Sequence, residues 1–108
     1  MYVTIRRYKI APGSTAELKR FQEGFLPIIS ALPGFIEYFW TTAAEDEVFS
    51  VNVFADRKGA EESIRVAADY VRNHLTSMLP NPPDVIAGEV VVHQTSLMPR
   101  RQHNDPNR

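Results

Sequence analysis

Arg6, Asn52 and His93 are the side chains of this sequence best suited to anion and acid–base chemistry, and each lies in a segment of strand-forming composition. An arginine and an asparagine can hold an enolate or phenolate oxygen by hydrogen bonds, and a histidine titrates near neutral pH and can move a proton. We therefore predict a catalytic group made of these three residues. Each also has an ordinary structural interpretation, because alternating polar residues on a sheet face often form a satisfied interface.

Flat aromatic side chains accompany this group. Tyr38 and Trp40 alternate along one predicted strand, and Ser50 and Phe54 share the parity of Asn52 along the next. Aromatic walls with a few convergent polar groups are typical of a small-molecule pocket. With two residues of the second predicted helix they form the predicted substrate-binding set, which is Tyr38, Trp40, Ser50, Phe54, Tyr70 and His74. The alternative is that the aromatic residues only pack in a core.

The sequence lacks the motifs on which several other kinds of chemistry depend. The acidic run at residues 45–47 has no histidine at metal-ligand spacing around it and is typical of a solvated turn, so we expect no metal site. The chain contains no cysteine, no glycine-rich phosphate loop and no paired-histidine motif. A formal charge of −1 gives no overall attraction to nucleic acid or to an anionic membrane. Because there is also no signal-peptide pattern and no membrane-spanning run, we expect a cytoplasmic protein.

Hydrophobic periodicity predicts six elements in the order β-α-β-β-α-β. Strands are predicted at residues 2–10, 35–40, 48–54 and 85–95. Helices are predicted at residues 15–31 and from a cap at Asp56 to Pro80. The 108 residues suffice for one domain, which we assign to residues 1–96. The remaining tail, 97–108, is polar and interrupted by prolines, and we expect it to be mobile.

This order predicts an α+β, ferredoxin-like fold with an antiparallel sheet of strand order 4-1-3-2 and both helices on one face. The apolar positions of the third predicted strand are expected beneath the helices, and they are Phe49, Val51 and Val53. The alternating positions, which include Asn52, would then face the other side. The sequence leaves open which face of the sheet the Arg6 side chain points to, because the apolar residues of the first strand change from one parity to the other along the strand.

The sheet face away from the helices needs a cover. The second predicted strand carries large apolar residues at both parities, Ile36 and Trp40 at one and Phe39 at the other. A bare second face would therefore expose a large apolar patch to water. A homodimer that packs two such faces together removes the patch. We expect this homodimer, with the site between the paired sheets.

Three segments of the sequence resemble the antibiotic biosynthesis monooxygenase (ABM) domain family of the dimeric α/β-barrel superfamily. They are residues 2–13 with their Pro-Gly turn, residues 32–35, and residues 50–56 before the second helix. The resemblance implies the barrel fold. As an activity it implies cofactor-independent oxygenation of an aromatic or enolisable small molecule. Relatives also include haem-degrading enzymes and many small proteins without an assigned activity.

Haem degradation fits the sequence less well than the other activities of the superfamily. Its haem-degrading members pair a strand asparagine with a tryptophan and a histidine of the second helix. Arg6 and Ser63 stand approximately at the first two positions, and only His74 matches the third. Two hypotheses follow. The protein is either a small oxygenase that uses no cofactor, with its substrate in a barrel cavity, or a non-catalytic dimeric module whose barrel is filled or holds a small ligand.

Overall fold

The computed structural model describes residues 1–44, 46–75, 79 and 81–96. Its elements are β1 (Tyr2–Lys9), α1 (Thr15–Ser30), β2 (Phe35–Ala44), β3 (Glu47–Phe54), α2 (Arg57–His74) and β4 (Asp84–Glu89). The predicted order of elements is confirmed. α2 ends earlier than predicted, at His74, and Pro80 lies outside the described residues. The tail at 97–108 lies outside them as well.

The two helices begin in different ways. Asp56 caps α2, because its Oδ1 accepts the Gly59 N–H at 2.9 Å and so satisfies one of the donors that the first turn leaves open. Ser14 precedes α1 without a side-chain capping bond. Among the described residues, no helix has both the length and the apolar character needed to cross a membrane.

The four strands form one antiparallel sheet in the order β2-β3-β1-β4, which is the predicted arrangement. β1 lies inside the sheet, with Arg6 opposite Ser50 of β3 on one side and opposite Val85 of β4 on the other. β4 ends at Glu89, which pairs with the first residue of β1. The prediction of a strand up to residue 95 is wrong, because the ladder between β4 and β1 ends where Glu89 meets the first residue of β1.

The helices pack on the more polar face of the sheet, which is the opposite of the predicted arrangement. Val48 and Phe54 of β3 lie in the core with residues of both helices, and the intervening Ser50 and Asn52 are buried on the same face. The alternating residues Phe49, Val51 and Val53 therefore point away from the helices. The strand pattern distinguishes two faces, but it does not say which of them the helices cover.

Two apolar clusters hold the helices on the sheet, one at each end of β1 and β3. The first cluster contains Tyr8, Ile10, Leu18, Val48, Leu75 and Leu79. The second contains Phe25, Ile29, Phe54, Ala60 and Ala67. Between them, the helix-facing positions of the two strands are polar and buried: Thr4, Arg6, Ser50 and Asn52. The fold thus encloses a polar centre between two apolar ends.

Candidate active site between the sheet and helix α2

The polar centre is built from two rows of residues that run across three strands. Thr4, Asn52 and Tyr38 stand opposite one another in the first row, and Arg6, Ser50 and Trp40 in the second. Residues directly opposite in antiparallel strands have their side chains on the same face. The sheet register therefore brings these side chains together beneath the helices.

Arg6 is the unusual member of this centre, because its side chain is buried without a counter-ion. The residue is only 3% exposed. Its Nη2 donates to Asn52 Oδ1 at 3.3 Å, whereas Nη1 is buried and has no hydrogen-bond partner. Within the described part of the chain, no carboxylate forms an ion pair with it. A buried cation in this state is costly, so the arrangement favours an anion as the missing partner.

Asn52 is fixed in a single orientation by its neighbours. Its Nδ2 donates to the Thr4 carbonyl and to Ser50 Oγ, each at 3.3 Å, which leaves Oδ1 as the acceptor for Arg6. Thr4 Oγ1 has no partner of its own and is the second unpaired buried polar atom of the centre. Asn52 thus holds the guanidinium in place from the sheet side.

A cavity of about 270 Å³ opens beside Arg6, between α2, the sheet and the segment that leads into β4. This volume is close to the lower end of the range for small-molecule pockets. Most of its wall is apolar, and the residues around it are Arg6, Tyr8, Ile64, Ala68, Val71, Arg72, Leu79, Asn81, Pro82, Pro83 and Val85. Arg72 also forms an ion pair with Asp69 of its own helix. Both charged residues of the wall are arginines, so the cavity favours an anion with an apolar body.

A second, much smaller space of about 10 Å³ continues from Arg6 beneath helix α1. This is room for about one water molecule. Tyr38 donates a hydrogen bond to Gln22 Oε1 at this space, and Tyr70 donates one to the Phe21 carbonyl at 2.9 Å. The two tyrosines thereby connect the sheet and α2 to α1.

The phenol hydroxyls of Tyr8 and Tyr38 both interact electrostatically with the charge of Arg6. Burial raises the pKa of both phenols above the ordinary value of 10, and the charge of Arg6 acts in the opposite direction. Both hydroxyls therefore stay protonated at neutral pH. They can donate a hydrogen bond or a proton to a bound anion, but they cannot act as bases there.

Six of the predicted site residues meet in this region. Trp40, Tyr38 and Ser50 line the smaller space with Arg6 and Tyr70, and Asn52 contacts Arg6 from the sheet. The predicted location of the site between two paired sheets is wrong, because these residues face the helices. The sequence correctly separates the polar positions of β3 from the apolar ones, but the prediction places the polar positions on the wrong side of the sheet.

The other three predicted residues lie elsewhere. His93 is exposed and follows the end of β4, whereas Arg6 pairs with Val85 near the start of that strand. His74 is exposed at the end of α2, where its ring lies 4.6 Å from that of Tyr70 between centroids. Phe54 is fully buried in the second apolar cluster and packs edge-on against Phe35. In this geometry neither His93 nor Phe54 lines the cavity.

Sequence reasoning missed Tyr8, Gln22 and Arg72. Tyr8 follows Arg6 by two residues in β1, so both side chains lie on the same face of the sheet. Assignment of Arg6 to the helix side would therefore have identified Tyr8 as well. Gln22 is the polar member of the buried stripe of α1, which otherwise contains Leu18, Phe25 and Ile29. A glutamine within an apolar helix stripe needs a buried hydrogen-bond partner, and this requirement points to the centre.

The lining side chains are hydrogen-bond donors and apolar groups. Across the described residues, no three histidine, cysteine, aspartate or glutamate side chains cluster as metal ligands would. The arginine, phenol and amide groups at the cavity and the smaller space are hydrogen-bond donors of the kind that bind anions.

Comparison with known proteins identifies the fold. No protein-family model matches the sequence, and none of the curated proteins matches it. The structure is similar to a protein of unknown function from Nitrosomonas europaea, with a TM-score of 0.74 and 22% identity over 88% of this chain and 93% of that chain. It is also similar to a provisionally assigned antibiotic biosynthesis monooxygenase from the same organism, with a TM-score of 0.71 and 18% identity over 85% of this chain and 100% of that chain.

A third similar structure is SnoaB, a cofactor-independent oxygenase from Streptomyces nogalater. Its TM-score is 0.60, with 12% identity over 90% of this chain and 97% of that chain. Identities this low show a shared fold. The predicted ferredoxin-like α+β fold is confirmed, and so is the resemblance to ABM proteins at the level of the fold.

Proposed function

We propose that the protein binds a small planar anion in the cavity beside Arg6 and oxidises it with molecular oxygen, without a cofactor. The observation that carries this proposal is the buried guanidinium with an unpaired Nη1 at the wall of an apolar cavity. An enolate or phenolate oxygen would supply the missing acceptor, and the apolar wall would contact the ring. The fold shared with SnoaB and the ABM protein supports the choice of reaction.

The chemistry requires little from the protein beyond stabilising the substrate anion. An ionised aromatic enol has a nucleophilic carbon that can pass electrons to dioxygen, after which a carbon–oxygen bond forms and gives a hydroperoxide. Loss of water then leaves a carbonyl. One oxygen atom enters the product, the other leaves in water with the two hydrogens that the substrate loses. Arg6 lowers the pKa of the bound enol, and Tyr8 can donate a proton to the peroxide.

The second candidate function is ligand binding without turnover. It is favoured by the make-up of the cavity wall, where the described residues include no histidine or carboxylate that would remove a proton from the substrate. A protein with this wall can take up only molecules that ionise on their own or under the influence of Arg6. The two candidates share the anion site and differ only in whether dioxygen is consumed.

The test uses binding and turnover together. para-Nitrophenol is suitable for binding, because its phenolate is yellow and its phenol is colourless. At a pH near the pKa of para-nitrophenol, addition of the protein should increase the yellow fraction. Arg6→Gln should abolish this increase. Arg7→Gln is the matched control, since Arg7 is the exposed neighbour that pairs with Glu47 and Asp84 on the other face. An equal loss in both variants would refute the site.

Turnover is measured as dioxygen uptake with enolisable one-ring and two-ring aromatic compounds. The oxygenase proposal expects uptake that depends on Arg6 and yields one carbonyl product for each dioxygen consumed. Binding that depends on Arg6 without any uptake across these compounds would instead favour the ligand-binding module.

We also propose that two copies of the chain pack through the sheet face away from the helices. This face carries exposed apolar side chains, among them Ile86 at 69% and Phe39 at 50% exposure. Phe39→Glu should convert a dimer to a monomer in sedimentation. Ile28→Glu is the control, because Ile28 is similarly exposed at 42% but belongs to helix α1. A wild-type protein that sediments as a monomer at micromolar concentration would exclude this dimer.

A further inference from the structure

A groove on the far side of the polar centre lies in line with the cavity of Arg6. It opens between α1 and β2, has a volume of about 270 Å³, and is lined by Lys19, Gln22, Glu23, Leu26, Tyr38 and Trp40. Its floor therefore includes the aromatic residues of β2 that reach the polar centre from the opposite side. None of the functions discussed above uses this groove.

The small space of about 10 Å³ connects the groove to the cavity. It shares Arg6, Tyr8 and Val71 with the cavity. It shares Gln22, Tyr38 and Trp40 with the groove. The three spaces thus form one row beneath the helices, wide at both ends and narrow in the middle.

The narrow part is closed by one hydrogen bond, which Tyr38 donates to Gln22 Oε1. Gln22 is 7% exposed and reaches down from α1, while Tyr38 reaches up from β2. The ring of Tyr38 also packs edge-on against Phe25, with centroids 6.2 Å apart and an interplanar angle of 65°. A bond between two side chains on different elements can open without any change in the backbone.

We propose that the Gln22–Tyr38 pair is a partition that limits the length of the ligand, so that the Arg6 cavity accepts planar anions of one or two rings and excludes those of three. This inference rests on the proposed anion site. The residue that determines specificity is Gln22, because its side chain lines both the narrow space and the groove and accepts the hydrogen bond of Tyr38 from the helix side. Removal of this side chain joins the cavity to the groove, where Trp40 and Leu26 provide an apolar surface for a third ring.

The test compares two anions that differ by one ring. The probes are a nitronaphthol and a nitrophenanthrol, which the nitro group makes acidic enough to be ionised near neutral pH. Binding is measured by calorimetry for the wild type and for Gln22→Ala. The matched control is Glu23→Ala, because Glu23 lines the same groove but does not line the narrow space. Gln22→Ser shortens the same side chain and serves as a second variant if Gln22→Ala does not fold.

In both opened variants the dissociation constant of the nitrophenanthrol should fall by roughly tenfold or more, since a further ring leaves water. That of the nitronaphthol should change by less than about twofold. An unchanged affinity for the nitrophenanthrol, or an equal gain in Glu23→Ala, would overturn the partition while leaving the anion site intact. If the wild type binds neither anion, the proposed function fails, and the partition fails with it.

Discussion

Replacement of Arg6 by methionine should make the ligand-free protein more stable. Methionine has a similar length, fills irregular apolar spaces well and carries no charge. In the native protein the guanidinium is 3% exposed, has an unpaired Nη1 and has no ion-pair partner among the described residues. An apolar residue in the same place removes the cost of burying this charge.

The expected size of the effect follows from the hydrogen bonds that the structure gives Arg6. A buried unsatisfied donor costs about 1–3 kcal/mol, which Arg6→Met recovers. The substitution also leaves Oδ1 of the buried Asn52 without its 3.3 Å bond to Nη2, and an unsatisfied buried acceptor costs a similar amount, about 1–3 kcal/mol. These two terms roughly cancel, so the net gain comes from removing the buried charge. Apolar replacement of buried charged groups stabilises proteins by about 1–4 kcal/mol, and the lower end, about 1 kcal/mol, corresponds to an increase in melting temperature of about 4–8 °C for a domain of this size.

The assay is thermal and urea unfolding of the wild type, Arg6→Met and the exposed control Arg7→Met, each with and without para-nitrophenol. Without ligand, Arg6→Met should melt highest and Arg7→Met at or slightly below the wild type. With ligand at about 100 times the dissociation constant, the wild type should gain about 2.7 kcal/mol and overtake Arg6→Met, which gains nothing. If Arg6→Met melts several degrees below the wild type without ligand, the guanidinium is satisfied in the free protein and the argument for an anion loses its basis.

Three further predictions concern the frame around the site. Burial raises the pKa of Tyr38 above the ordinary value of 10, so the folded protein keeps a proton that the unfolded chain loses at higher pH. The free energy of unfolding in urea should therefore decline as the pH rises above 10, and Tyr38→Phe should make this decline shallower. Gly59→Ala should lower the free energy of unfolding by about 1–3 kcal/mol, because the new Cβ would lie 2.6 Å from the Pro33 carbonyl, whereas Gly88→Ala meets nothing within 4 Å and should leave the urea midpoint unchanged. Asp56→Ala should cost about 1 kcal/mol through loss of the α2 cap, without any change in anion binding, and equal midpoints for the wild type and this variant would contradict the capping role.

The order of the elements and the order of the strands could be predicted from the sequence because they depend on local signals. Periodicity assigns each segment, and the Pro-Gly turns and the Asp56 cap mark boundaries. Gly13 and Gly34 both adopt positive φ, at 80° and 81°, as such turns require. The right-handed crossover rule then leaves one arrangement of the sheet.

The direction in which the polar residues face could not be predicted in the same way. Phe49, Val51 and Val53 form the more apolar row of β3, and burial against helices is the usual reason for such a row. Here the helices bury the polar row, because Val48 and Phe54 at its two ends supply the apolar contacts that they need. A rule based on the average polarity of a strand face cannot detect that division.

His93 was misplaced for a related reason. The run of residues 89–93 has strand composition, but a strand requires a partner, and the pairing of β4 with β1 ends at Tyr2 and Glu89, with one further bond from the Val90 N–H to the Met1 carbonyl. The last catalytic candidate therefore lies outside the sheet, and the centre contains two of the three predicted catalytic residues. Without this base, a substrate of the proposed kind would have to ionise on its own or under the influence of the arginines of the cavity wall.

The polar centre is difficult to explain as a feature selected for stability. Arg6 and Asn52 occupy helix-facing positions in the middle of two adjacent strands, where Val or Ile would pack without unpaired atoms. A dimer interface does not account for them either, because they lie on the side of the sheet opposite to the exposed Phe39 and Ile86. A ligand in the cavity would account for them, because the proposed anion would offer an acceptor to the guanidinium that Asn52 contacts. The increase in stability expected for Arg6→Met and the accompanying loss of anion binding are therefore two consequences of the same buried charge.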